Sequence, residues 1–205
     1  MPFPLPLAKE EHGDTQEAAS DLLMVLEIDP NHLKARRKYA QVLFIRGSYR
    51  QSIKHLTALI VAMPYDAQLY FQRSLANSHS GEHLAALRDV TQCIHLDPAN
   101  KDAYFNRALM LSRAHPRRAI RDLSIVLLID TEHALTIEAY LRRGMLYAAL
   151  KQPQEALPDL LACLASEELK CLKVGRPSKT LVISTWLGKG KEGRCEWSGV
   201  SEWSE

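Results

Sequence analysis

Apolar residues in this chain recur at helical spacing, and the helices they predict come in pairs. Ala18, Leu22, Val25 and Leu26 fall on one stripe that stops at Asp29-Pro30, because proline cannot continue a helix and disfavours helical geometry in the residue before it. The next stretch, 33–66, reads as two helices. Tyr39, Ala40 and Leu43 face inward on the first, Gly47-Ser48 makes the turn, and Ser52, Leu56 and Leu59 face inward on the second. The stretch 67–100 repeats the design with Tyr70, Ser74, a turn at Gly81, then Ala86, Val90, Cys93 and Asp97-Pro98. A further copy carries Tyr104, Ala108, Leu111, Ala119, Leu123 and Val126, with His115-Pro116 where glycine stood before. The last has Tyr140, Gly144, Tyr147, Ala156, Leu160 and Cys163.

Pro30, Pro64 and Pro98 are 34 residues apart, and Ala18, Ser52 and Ala86 keep the same step. Ala119 then follows after 33 residues and Ala156 after 37, so a turn has lost one residue and three are added near Ala134-Leu135-Thr136. A period in this range means stacked supersecondary units, with small residues wherever two helices approach closely. The expected domains are an irregular segment 1–14, a repeat array 15–165, and a helix end with a disordered tail over 166–205. Within the array we expect units at 15–32, 33–66, 67–100, 101–133 and 137–165, the first of them partial and least regularity near Thr131.

These residues resemble the tetratricopeptide repeat family: Tyr104, Ala108, Leu111, Ala119 and Leu123 carry its pattern, as do Tyr70, Ser74, Ala86 and Pro98. The resemblance covers roughly Thr15 to Ala165. It implies an all-α fold, a right-handed superhelical solenoid of antiparallel helix pairs, with the first helix of each pair lining a concave face that binds peptides or partner proteins. By the same resemblance the residue after each tyrosine and one four further on point into that groove: Phe71 with Leu75, Phe105 with Leu109, Leu141 with Met145. Lys34, Arg37 and Gln41 stand at related positions of the earlier unit, which makes an acidic–hydrophobic peptide the natural ligand. Two readings of these side chains stand side by side, a peptide-binding stripe and packing against the neighbouring helix. The subclass that clamps chaperone C-termini with lysines, asparagines and arginine is not matched, since Asp102 or Glu138 would repel a ligand carboxylate.

A charge pattern runs with the repeats. Arg73, Arg107 and Arg143 each follow a tyrosine by three residues, and Asp89, Asp122 and Asp159 each follow a small residue of the second helix by three. Where Tyr39 replaces the arginine, His55 replaces the aspartate, so the two types appear and vanish together. This predicts an ion pair inside each hairpin. Asp21 sits at the same register with a proline-rich segment in place of its first helix. We therefore expect a truncated or alternatively spliced form of a longer array, with uncapped ends able to self-associate or to stack on further repeats.

Composition narrows the classes. A formal net charge of +2, from 26 basic and 24 acidic residues, gives no footprint for nucleic acid. No apolar run reaches the roughly 18–20 residues of a membrane span, and Pro2, Pro4 and Pro6 interrupt the start as a signal peptide. Four cysteines without a framework fit a reducing compartment, the cytoplasm. Cys93 and Cys163 take a small core position, while Cys171 and Cys195 lack metal-like spacing. His79 and His83 flank a turn without a third ligand and read as exposed. The basic run 34–38 reads as a solvated helix face. No catalytic constellation, metal site or cofactor motif stands out. The expected function is a non-catalytic scaffold for a protein or peptide partner; the alternatives are a self-associating structural segment and, more distantly, an enzyme.

Overall fold

The computed structural model describes residues 12–129 and 134–174, and among them every regular element is helical. The helices are α1 (His12–Ile28), α2 (Leu33–Ile45), α3 (Tyr49–Ala62), α4 (Ala67–His79), α5 (His83–Leu96), α6 (Lys101–Leu111), α7 (Pro116–Ile129), α8 (Ala134–Ala149) and α9 (Pro153–Val174). This is the expected all-α architecture of antiparallel helix pairs. Two compact units divide it, 1–139 and 140–205. In the first, each helix from α1 to α7 packs on its neighbours in sequence.

Two boundaries differ from the sequence expectation. Residues 12–14, expected to be irregular, open α1, and the added residues after α7 include the first turn of α8. Pro6 is the last proline before α1 and lies six residues upstream of His12, too far to constrain it. Thr131, most of the N-terminal segment, and the expected disordered tail with Cys195 and the tryptophans lie outside the described residues.

The helix ends explain the period. His32, Asp66 and Asn100, spaced by 34, each cap the helix that follows. His32 Nδ1 accepts from the Ala35 amide at 3.1 Å, Asp66 Oδ1 from Gln68 at 3.0 Å, and Asn100 Oδ1 from Ala103 at 3.0 Å. At the other end, Ser48 N donates to Leu43 O (2.8 Å) and Gly47 N to Phe44 O (2.9 Å). That pair of bonds closes a helix only if the residue after the cap turns left-handed. Gly47 and Gly81 supply that turn with φ of 76° and 86°. The hairpin α8–α9 uses the same bonds but places Lys151 there, at φ 59°. The α6–α7 turn, one residue shorter, dispenses with the motif, and Pro116 starts α7 where its missing N–H is no loss.

Close approach then builds the core. Ser52, fully buried, donates its hydroxyl to the Ala40 carbonyl at 2.8 Å, joining α3 to α2. Leu56, Leu59, Leu69, Val90, Leu123 and Val126 fill the layers between pairs. In the second unit, a Cβ at Gly144 would lie 3.0 Å from the Leu160 side chain, so α8 and α9 touch through a position without a side chain. Cys93 and Cys163 are buried in the core. Burial, and then the nearby Asp97 carboxylate, push the Cys93 thiol up to about 11.

Candidate functional site

The arginines and aspartates that vary together stand face to face. Arg73 Nε and Nη2 donate to Asp89 Oδ2 and Oδ1 at 2.8 and 2.7 Å, tying α4 to α5. Arg107 repeats the fork on Asp122 at 2.8 and 2.8 Å between α6 and α7. In the second unit Arg143 does the same to Asp159, at 2.7 and 2.6 Å between α8 and α9. The parallel two-bond geometry is the strongest a guanidinium makes with a carboxylate. All three aspartates are buried. Hydrogen bonding to Asp122 and Asp159 raises the already high pKa of Arg107 and Arg143, outweighing the opposing effect of burial. Each guanidinium also lies 5.6 to 5.8 Å from the ring centroid of the tyrosine three residues earlier. Arg73 further donates to Thr57 Oγ1, and Asn77 donates to Asp89. The aspartate bonds occupy the Nε–Nη2 edge of each guanidinium.

The hairpin without the ion pair fills the same space differently. Tyr39 and His55 meet edge to face at 4.9 Å. Burial, then the charge of Arg36, lowers the pKa of His55 from its ordinary 6.5. Arg36 and Tyr39 thus stand in reversed order relative to Tyr70 and Arg73. The exchange preserves one contact: Tyr70 Oη donates to Pro64 O at 3.1 Å, and Arg36 donates to Pro30 O. Either side chain closes the proline junction six residues behind it. Periodicity alone does not reveal this, because it aligns residues of unlike chemistry.

The proposed groove positions fare unequally. Phe71, Leu75 and Leu109 are half-buried on α4 and α6, leaving part of each side chain for a ligand. Phe105 is only 2% exposed and packs as a core residue. On α2, Lys34 is exposed and Gln41 half-buried. Arg37 forms an ion pair with Asp66, the same carboxylate that caps α4, so it braces successive hairpins. In the second unit Leu141 is half-buried and Met145 is 47% exposed on α8.

His79 departs from its expected exposure. It stacks on Tyr49 at 5.0 Å and meets Phe44 edge-on at 5.3 Å, while Phe44 meets Tyr49 at 5.4 Å. Three rings from α2, α3 and α4 thus join two hairpin turns. The signal was an aromatic on each side of Gly47, in Phe44 and Tyr49. Among the described residues no three histidine, cysteine or acidic side chains could hold a metal ion, and no helix is long and apolar enough to cross a membrane.

Comparison with known proteins agrees with the geometry. The family profile described as Tetratricopeptide repeat matches residues 137–168. Tetratricopeptide repeat protein 6 of Homo sapiens is 24% identical over 143 residues, 69% of this chain and 27% of the relative. The Hsp70-Hsp90 organizing protein of Triticum aestivum is 29% identical over 92 residues, 45% of this chain and 16% of the relative. The chain thus spans about a quarter and a sixth of the length of these two relatives. Among solved structures, the crystal structure of MamA superposes with a TM-score of 0.72 at 24% identity, covering 83% of this chain and 99% of that one. That likeness concerns the fold. With the repeating caps, turns and small-residue contacts, the profile match over 137–168 and the shared fold make the chain similar to tetratricopeptide repeat proteins.

Proposed function

We propose that this chain is a non-catalytic protein-interaction scaffold, and that it receives an acidic–hydrophobic peptide along the first helices of its hairpins. Tetratricopeptide repeat proteins bind protein partners, which sets the general class. The observation that carries the finer reading is the stripe Phe71, Leu75 and Leu109. Leu75 and Leu109 share one register of α4 and α6, Phe71 lies four residues before Leu75, and all three stay half-buried. Exposed Lys34 on α2 adds a cation at one end. Peptides in such grooves are held by apolar anchors, while charge at the rim sets orientation and on-rate. The buried free thiol of Cys93 suits the reducing cytoplasm.

The test is selection from a displayed peptide library with the full chain, compared with Leu75→Glu and with Lys34→Glu. Enriched acidic–hydrophobic peptides should be lost with Leu75→Glu and shifted away from acidic sequences with Lys34→Glu. An identical set of peptides from all three proteins, or no enrichment at all, would remove the groove reading.

A further inference from the structure

The second helices α3 and α5 each have two jobs: they pack on the first helix of their own hairpin and on the helix that follows. In α5 the positions withdrawn from solvent for this purpose are Ala86, Asp89, Val90, Cys93 and Ile94. Sixty-eight residues earlier, α1 carries Ala18, Asp21, Leu22, Val25 and Leu26, the same kinds of side chain in the same order, ending at Asp29-Pro30 as α5 ends at Asp97-Pro98. Only half of this pattern is used. Ala19, Leu22 and Leu26 pack on Tyr39 and Leu43 of α2. On the side that α4 covers in α5, Val25 is 38% exposed where Cys93 is 0%, and Asp21 is exposed where Asp89 is buried.

The register says what would cover it. Asp89, Asp122 and Asp159, at the position of Asp21, each hold an arginine by two hydrogen bonds. In all three cases that arginine follows a tyrosine by three residues and precedes Ser74, Ala108 or Gly144, small enough for the helices to close. We propose that this face of α1 is a docking surface for an amphipathic helix of another polypeptide, one bearing an aromatic residue, an arginine three residues later and a small residue next to it. Its arginine takes Asp21, its small residue seats on Ala18, and its apolar side covers Val25. A second copy of this chain is the poorer occupant, because the arginines of its own helices of this type, α4, α6 and α8, are already held by α5, α7 and α9. This surface is independent of the first-helix groove.

The probe is a fluorescein-labelled synthetic peptide with the sequence of residues 65–81, titrated with the full chain and read by anisotropy. It should bind saturably. An alanine in place of the peptide's arginine, or Asp21→Ala in the chain, should each weaken binding about tenfold, as loss of a charged hydrogen-bonded partner does. The two changes together should cost little more than either alone. A second measurement does not depend on a free peptide's affinity: residues 1–14 are exchanged for a second copy of residues 65–82, and the urea midpoint is read. The exchange should raise the midpoint, and Asp21→Asn should lower it only in the exchanged protein. Three results would overturn the proposal: binding indifferent to the arginine and to Asp21, an exchange that stabilises while the peptide fails to bind in trans, or a concentration-dependent dimer abolished by Asp21→Arg.

Discussion

Removing Arg107 strands a carboxylate, and the size of the loss is set by how little water can reach it. The Asp122 side chain is 5% exposed and that of Arg107 is 21% exposed. Uncompensated buried charge costs about 3–5 kcal/mol, and the opening through which the guanidinium reaches solvent relieves part of it, so Arg107→Ala should cost about 2–4 kcal/mol. Asp122→Ala leaves an arginine that can turn toward water and keeps the Tyr104 ring 5.6 Å away; its cost should be smaller, about 1–3 kcal/mol. Because either change already breaks both hydrogen bonds, the double variant should fall short of the sum by at least about 1 kcal/mol. Urea unfolding followed by far-ultraviolet circular dichroism reads all four proteins, with the slope checked so that a change in cooperativity is not taken for a change in stability. Additive losses would mean that the two residues do not act as a pair, and the account of what joins the hairpins would fail.

Other outcomes follow from single positions. Gly144→Ala places a methyl 3.0 Å from the Leu160 side chain; it should lower stability by about 1–3 kcal/mol, and Leu160→Val should recover part of that in a thermal melt. Lys151→Gly relieves a left-handed residue at φ 59° and should stabilise by about 0.5–1 kcal/mol, whereas the same change at the helical Lys54 should destabilise. Because the pKa of His55 is lowered in the folded chain from 6.5, its contribution is present above that value and is lost as pH falls through the lowered one. His55→Phe, which keeps an edge contact with Tyr39, should flatten the stability profile on the acid side. The Cys93 thiol, pushed up to about 11, should resist a thiol reagent at pH 8 until the chain unfolds.

The repeat was legible in the sequence because helix pairing demands small residues and closed helix ends at fixed intervals, and Ser52, Ala86, Gly47 and Gly81 fall there visibly. The arginine–aspartate pairs were legible for a related reason: a charge cannot enter such a layer without its partner, so Arg and Asp change together. Lys151 was not, since a lysine in a left-handed turn looks like any surface lysine until its register with Gly81 is aligned. Phe105 and Phe71 share one register and one side-chain type, yet only Phe105 is buried, because exposure depends on what the next helix presents rather than on the residue itself. His79 was misread for the same reason, its two ring neighbours lying on other helices.

The groove is the central claim, and backbone amide shifts of the full chain, recorded as a selected acidic–hydrophobic peptide is added, test it most directly. Changes should centre on Phe71, Leu75, Leu109 and Lys34, with the second-helix residues Thr57, Arg88 and Arg121 little affected. Shifts centred on those second-helix residues, with the first helices silent, would contradict it.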